Sequence, residues 1–314
     1  MRSRHFLGWE RVARVLVTGA AGSLGSSVVP ALRRAGFEVV RLDRALDSAH
    51  ELVGGSGLPN LLSGCDGVLH LAACSRVGDA EQDPPRAQHD NIDATAALLG
   101  AVEALRPRPW LILSSSREVY GNAKTSPTAE SSPLSPLNLY GATKAAAEAL
   151  VQRDVRSGLR ATILRLANVY GGADDQPDRL IPAFVTAAVA VQPLFVRGST
   201  RTLDLVHARD VDAAFVAAAR ALHQGSRAGL TVNVCSGTET ALGPLATQVV
   251  TLAASSSSVH HEPPAAYDVT RFVGDNRLAS ETLGWSPRVP LDVGLVELIY
   301  AAQARRRPRN TEPA

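Results

Sequence analysis

Arg14-Val15-Leu16-Val17-Thr18-Gly19-Ala20-Ala21-Gly22-Ser23-Leu24-Gly25 is the stretch whose reading decides the fold. Its first five residues are a short, mostly apolar run of the kind buried in a parallel sheet. Glycines one, four and seven of the following turn, Gly19, Gly22 and Gly25, let the backbone come close to a ligand. An apolar helix from about Ser23 to Ala35 follows, closed by Gly36, and a second strand from Phe37 to Leu42 ends on Asp43. Strand, turn, helix and strand within about 30 residues make one βαβ unit.

Such a turn sets a pyrophosphate on a helix N-terminus, where free N–H groups and the dipole favour negative charge. Asp43 ends the next strand, where a carboxylate hydrogen-bonds ribose hydroxyls and repels a 2′-phosphate, so the unit predicts NAD rather than NADP, although Arg41 and Arg44 flank it. Further apolar runs at Gly67-Val68-Leu69-His70-Leu71, Trp110-Leu111-Ile112-Leu113 and Ala161 to Leu166 alternate with alanine-rich helical stretches, Asn91 to Leu105 and Tyr140 to Arg156. That alternation predicts an α/β fold, a doubly wound parallel sheet of Rossmann type. Residues 12–170 read as the NAD-binding domain, with a return segment at about 202–232. Residues 171–201 and 233–304 read as a smaller C-terminal substrate-binding lobe with loops around Pro177, Pro182 and Pro193 and a Ser/Pro-rich stretch at 255–264. Residues 305–314 read as a disordered tail.

The formal charge of +2 is too mild for a nucleic-acid footprint. Three cysteines without metal-ligand spacing predict neither a disulfide framework nor a metal site, and fit a reducing cytoplasm. No run of about 18 apolar residues or signal-peptide core occurs, so neither export nor a membrane span is expected. Of 32 basic residues only Lys124 and Lys144 are lysine, and a position that stays lysine invites a chemical reason, since arginine cannot act as a compact, tunable ammonium.

Lys144 lies four residues after Tyr140, one helical turn away on the same face. A neighbouring cation favours phenolate, which would suit Tyr140 to act as a base near neutral pH. Ser114-Ser115-Ser116 closes a predicted strand, at the sheet edge where open α/β folds bind ligands, and a hydroxyl there can share a substrate proton with the tyrosine.

Taken with His70-Leu71-Ala72-Ala73, Asn91, Ser116-Arg117-Glu118-Val119-Tyr120-Gly121, Arg165-Leu166-Ala167-Asn168-Val169-Tyr170-Gly171, Val206-His207-Ala208-Arg209-Asp210-Val211 and Leu283-Gly284-Trp285-Ser286-Pro287, the chain resembles the extended short-chain dehydrogenase/reductases, in particular the NAD-dependent nucleotide-sugar epimerase/dehydratase group. The resemblance runs from about Arg14 to Leu298. It implies Tyr140 as base, Lys144 as its electrostatic partner and ribose ligand, and Ser116 as the proton-sharing hydroxyl. It implies NAD contacts from Gly19, Ala21, Gly22, Ser23, Leu24, Gly25, Asp43, Leu71, Ala72, Ala73 and Asn91 besides Tyr140 and Lys144. Substrate contacts would come from Ser75, Ser116, Arg117, Glu118 and Asn168, the last on the nucleotide-sugar phosphates. His207 has packing as an equal reading, and His70 is structural. A homodimer paired through the two alanine-rich helices is also implied.

The chain departs from the pattern in places. An acidic residue against the adenine is replaced by the small stretch Gly54-Gly55-Ser56-Gly57. The usual diphosphate-gripping arginines fall at Ala265 and Leu203, leaving Arg201 and Arg271 as nearby substitutes. A 4,6-dehydratase would need Asp-Glu after the catalytic hydroxyl, and this chain has Arg117-Glu118. Decarboxylases keep a glutamate at the second position without an arginine before it. Epimerisation at C4 needs neither acid, so a UDP-hexose or UDP-hexuronate 4-epimerase comes first, decarboxylase or dehydratase next, and a catalytically silent NAD-binding regulator is the alternative of another class. Arg117 either holds a sugar carboxylate with its forked donors or, by strand alternation, turns away from Ser116 toward a surface acid.

Overall fold

The four inner strands of the main sheet split their apolar side chains between two cores, which is why these runs are continuous rather than alternating. The computed structural model describes residues 12–46, 51–54, 57–172, 175–226 and 228–306. The strands are β1 (Arg14–Thr18), β2 (Glu38–Leu42), β3 (Gly67–His70), β4 (Trp110–Ser116), β5 (Ala161–Leu166), β6 (Asn168–Tyr170), β7 (Leu194–Arg197), β8 (Thr202–His207), β9 (Leu230–Val234), β10 (Glu239–Ala241) and β11 (Val259–Glu262). The helices are α1 (Gly25–Arg34), α2 (Leu58–Leu62), α3 (Val77–Gln82), α4 (Pro84–Gln88), α5 (Ala94–Glu103), α6 (Leu139–Arg156), α7 (Leu180–Val189), α8 (Ala208–His223), α9 (Leu242–Leu252), α10 (Arg277–Leu283) and α11 (Leu291–Arg306).

Six parallel strands run in the order β2-β1-β3-β4-β5-β9. Val15, Val17, Leu69, Ile112 and Leu164 face one core with Val28 and Leu32 of α1 and Val211 and Phe215 of α8. Leu16, Val68, Leu111, Leu113 and Ile163 face the other, with Leu98 and Val102 of α5 and Ala147 and Val151 of α6. The sheet is therefore doubly wound. Its order reverses at β1, between β2 and β3, which opens a crevice beyond the carboxyl ends of those strands.

The smaller lobe holds a three-stranded sheet, β10-β8-β6, and a two-stranded one, β11-β7. Its own core gathers Ile181 and Phe184 of α7, Leu203 and Leu205 of β8, Leu245 and Val249 of α9 and Leu295 and Ile299 of α11. The chain's return takes a form that the sequence blurs. β8 pairs with β6 and β10 in the small sheet, whereas α8 and β9 rejoin the main sheet, so the return begins after His207 and extends to Val234. Two segments read as loop are regular. α7 tolerates Pro182 because it sits in the first helical turn, where no intrahelical donor is needed. β11 forms inside the Ser/Pro-rich stretch by pairing with β7. α11 includes Arg305 and Arg306, and 307–314 lie outside the described residues.

Candidate active site

Gly19 leaves β1 with a φ of 68°, and a Cβ there would lie 2.6 Å from the Ala72 backbone nitrogen; one on Gly25 would lie 2.2 Å from the Gly19 carbonyl oxygen. Both contacts are with backbone, so only glycine lets β1, the loop after β3 and the start of α1 close on one another. Thr18 fastens the same corner. Its hydroxyl accepts from the backbone N–H groups of Leu71 and Ala72, each at 3.2 Å. His70, bonded to the Thr18 and Thr95 hydroxyls at 2.8 and 3.0 Å, is pushed down to about 3 by burial and by the Lys144 charge, so it is a neutral, structural group.

The result is a cavity of about 450 Å³ at the switch point. Gly19, Gly22, Ser23, Leu24, Gly25, Asp43, Leu71, Ala72 and Ala73 line its cofactor end, and Ser75, Ser116, Arg117, Glu118, Asn168, Tyr140 and Lys144 its other end. The residues fit NAD: the backbone of the glycine turn borders the cavity at the start of α1, where a pyrophosphate would meet free N–H groups, and a carboxylate stands at the end of β2. Asp43 accepts from the Ala21 and Ala45 backbone N–H groups at 3.0 and 2.9 Å, which fixes it at the rim. Ala21 thus holds Asp43 rather than lining the cavity. Arg44 is drawn to Asp90 at 3.0 Å. Glu51 lines the cavity, three residues before Gly54, where the small-residue stretch had suggested that no acid would stand. Gly55 and Ser56 lie outside the described residues.

The reacting groups come from β4 and α6. Asn138 caps α6 by accepting from the Gly141 N–H at 2.8 Å, and so starts the helix where Tyr140 and Lys144 face the end of β4. Tyr140 is hydrogen-bonded to Ser116. Lys144 Nζ donates to the Ser114 carbonyl oxygen at 3.0 Å. Burial pulls Lys144 down to about 8, opposed by the carboxylate of Glu148 one turn further along. The phenol does not follow the expectation of a cation-lowered tyrosine. Burial pushes Tyr140 up to about 12, and the Ser116 bond and the Arg179 charge only partly offset it. The lysine spends one proton on a carbonyl.

Arg117 corrects the alternation argument. β4 ends at Ser116, whose hydroxyl accepts from Glu118 N at 3.2 Å, and Arg117 opens a 3₁₀ turn, so strand periodicity stops one residue earlier. The side chain is buried, not turned to a surface acid, and meets Glu118 Oε1 at 2.7 Å. The other Glu118 oxygen accepts from Asn138 Nδ2 at 2.8 Å.

Besides Ala21, three expected contacts are not brought to the cavity wall. Asn91 bonds Cys74 N and Thr143 Oγ1, both at 2.8 Å, and so clamps the loop after β3 to α6. Arg201 pairs with Asp268 at 2.9 Å, and Arg271 lies exposed against Glu239 at 2.6 Å because the β8–β10 pairing sets Glu239 beside it. His207 caps α8 and packs edge-on to Tyr170, as in its packing reading. Sequence reasoning missed Arg179, which enters the cavity wall just before α7 with its Nε 3.7 Å from Asp175 Oδ1 and without a hydrogen bond. A basic residue ahead of an apolar helix was the available signal, obscured by the flanking prolines.

The family model for the NAD dependent epimerase/dehydratase family matches residues 15–235. The chain is 32% identical over 309 residues to UDP-glucose 4-epimerase of Mycolicibacterium smegmatis, covering 91% of this chain and 97% of that one. It is 27% identical to UDP-glucuronic acid decarboxylase 1 of Danio rerio, covering 94% and 73%. The structure of MoeE5 in complex with UDP-glucuronic acid and NAD superposes with a TM-score of 0.84 at 29% identity, over 92% of this chain and all of that one. With the glycine turn, the Tyr140–Lys144 pair and Ser116 assembled in one cavity, the chain belongs to the NAD-dependent epimerase/dehydratase family.

Proposed function

We propose that this protein is an NAD-dependent nucleotide-sugar 4-epimerase, inverting C4 of a hexose or hexuronic acid through a transient 4-ketone. One observation carries the choice among the family's reactions: the carboxylate that a dehydratase or decarboxylase would free for work at C5 or C6 is tied up. Arg117 stands in the first acidic position, and both oxygens of Glu118 are engaged, by Arg117 and by Asn138. What remains is a set of groups suited to one carbon.

Tyr140 Oη takes the proton of the C4 hydroxyl, and the hydrogen-bonded Ser116 hydroxyl shares it. Lys144, with one donor on Ser114, keeps two that would hold the cofactor ribose and stabilise Tyr140 as the phenolate that accepts this proton and becomes the phenol. Bound NAD supplies a reversible hydride acceptor and a positive ring that favours the phenolate. Asn168, whose Oδ1 has no hydrogen-bond partner, and Arg179 also line the cavity and are suited to the phosphates of the nucleotide sugar. Because the proton would leave and return at one carbon, Tyr140 and Ser116 would serve both directions of the reaction, and no second acid or base is required. The similarity to a decarboxylase keeps that reaction as the second reading, since Glu118 also lines the cavity.

Tyr140→Phe tests the assignment: turnover should fall about 10²–10⁴-fold, with NAD affinity unchanged within about threefold. Near-normal turnover in that variant contradicts it.

A further inference from the structure

A guanidinium cannot shed its proton, so burying one with idle donors is costly unless a ligand supplies the missing acceptor. Arg117 is in that position. It is 4% exposed, lines the cavity beside Ser116, and its Nε and Nη1 have no hydrogen-bond partner. Its protein contacts are Glu118 Oε1 at 2.7 Å and the ring of Phe272, 5.6 Å from the guanidinium carbon. The ring holds the fork's plane, and Glu118 balances one charge while leaving those two nitrogens unsatisfied. Arg201 is held below the usual guanidinium range by burial and, further, by the charge of Arg117, while Asp268 opposes both.

We propose that Arg117 is a specificity-determining residue that binds a carboxylate at C6 of the sugar, making a nucleotide-linked hexuronic acid the preferred substrate class. This rests on the reading above that the Ser116–Tyr140 hydroxyl pair brackets C4. The carbon next to C4 is C5, which carries C6, whereas the diphosphate hangs from C1 across the ring. An arginine adjacent in sequence to Ser116 therefore meets the C6 substituent and not the diphosphate. A neutral hydroxymethyl group at that place leaves the donors short of a charged acceptor, while a carboxylate satisfies them with charge-assisted bonds.

Equilibrium binding to the NAD-loaded protein decides it, with UDP-glucuronate, UDP-glucose and UDP alone as probes. Wild type should bind UDP-glucuronate about 10-fold or more tighter than UDP-glucose. Arg117→Leu should weaken UDP-glucuronate at least about 10-fold more than it weakens UDP-glucose or UDP. The double variant Arg117→Leu/Glu118→Gln removes both charges of the buried pair and serves if the single variant unfolds; it should lose the preference in the same way. A wild-type preference for UDP-glucose, an unchanged ratio in either variant, or equal weakening of all three probes, which would mean that Arg117 grips the diphosphate, overturns the proposal. Absence of C4 epimers from every sugar would sink the epimerase reading instead, without altering these affinity ratios.

Discussion

Glu148→Gln probes the buried network behind the reacting groups. Glu148 is 1% exposed, one turn beyond Lys144. Its oxygens accept from Arg165 Nε at 2.9 Å and Nη2 at 2.7 Å, and from Ser115 Oγ at 2.5 Å. Arg165 also donates to Tyr120 Oη at 2.9 Å and lies over that ring. Removing one partner of such a pair costs about 3–5 kcal/mol. The amide still accepts one bond, so the lower end applies, about 3 kcal/mol, which lowers the folding equilibrium by roughly 10²-fold. At roughly 2 °C per kcal/mol for a chain of this size, Tm should drop by about 6 °C. The assay is urea and thermal unfolding of wild type, Glu148→Gln, Arg165→Met and the double variant, with the double costing clearly less than the two singles added, because no unpaired charge is left buried. A loss under about 1 kcal/mol, or strict additivity, refutes the reasoning. A second readout follows from sign. Glu148 supports the Lys144 ammonium, which titrates at about 8, so neutralising it should let Lys144 deprotonate at lower pH and move the alkaline limb of kcat/KM downward.

Gly25→Ala should abolish NAD binding measured by fluorescence titration while the fold persists, because the added Cβ meets backbone at 2.2 Å and no flexible side chain can yield; retained affinity would show that the turn is not the cofactor cradle. Asp212 of α8, which accepts from Ser27 Oγ at 2.8 Å, is pushed up to about 6 by burial. A carboxyl raised in the fold penalises stability above its folded value, and the penalty fades as pH falls from about 6 toward the unfolded value near 4. Asp212→Asn should therefore stabilise the protein by about 1–3 kcal/mol at pH 7.5 and by nearly nothing at pH 4, as read by urea melts, and equal effects at both pH values would contradict the assignment.

The parts of the site that depend on spacing are legible in the sequence. The glycine turn works through contacts within and beside one βαβ unit, and Tyr140 and Lys144 share a helix face by periodicity alone. What depends on where a regular element stops is not. Arg117 follows the last residue of β4, so alternation misplaced it by one residue. Arg201 and Arg271 are captured by Asp268 and Glu239, residues far away in sequence, which no local pattern reports. The rise in the Tyr140 pKa comes from burial, a tertiary quantity, while the neighbouring charge was visible and pointed the other way.

The most direct test of the central claim is ¹H NMR of the NAD-loaded protein incubated with UDP-glucose or UDP-glucuronate in D₂O. The account predicts a mixture of C4 epimers with every carbon retained and no deuterium incorporated into the sugar, because hydride leaves and returns at one carbon. A UDP-pentose formed with carbon dioxide, a 4-keto-6-deoxy sugar carrying solvent deuterium, or unchanged substrate in both incubations would contradict it.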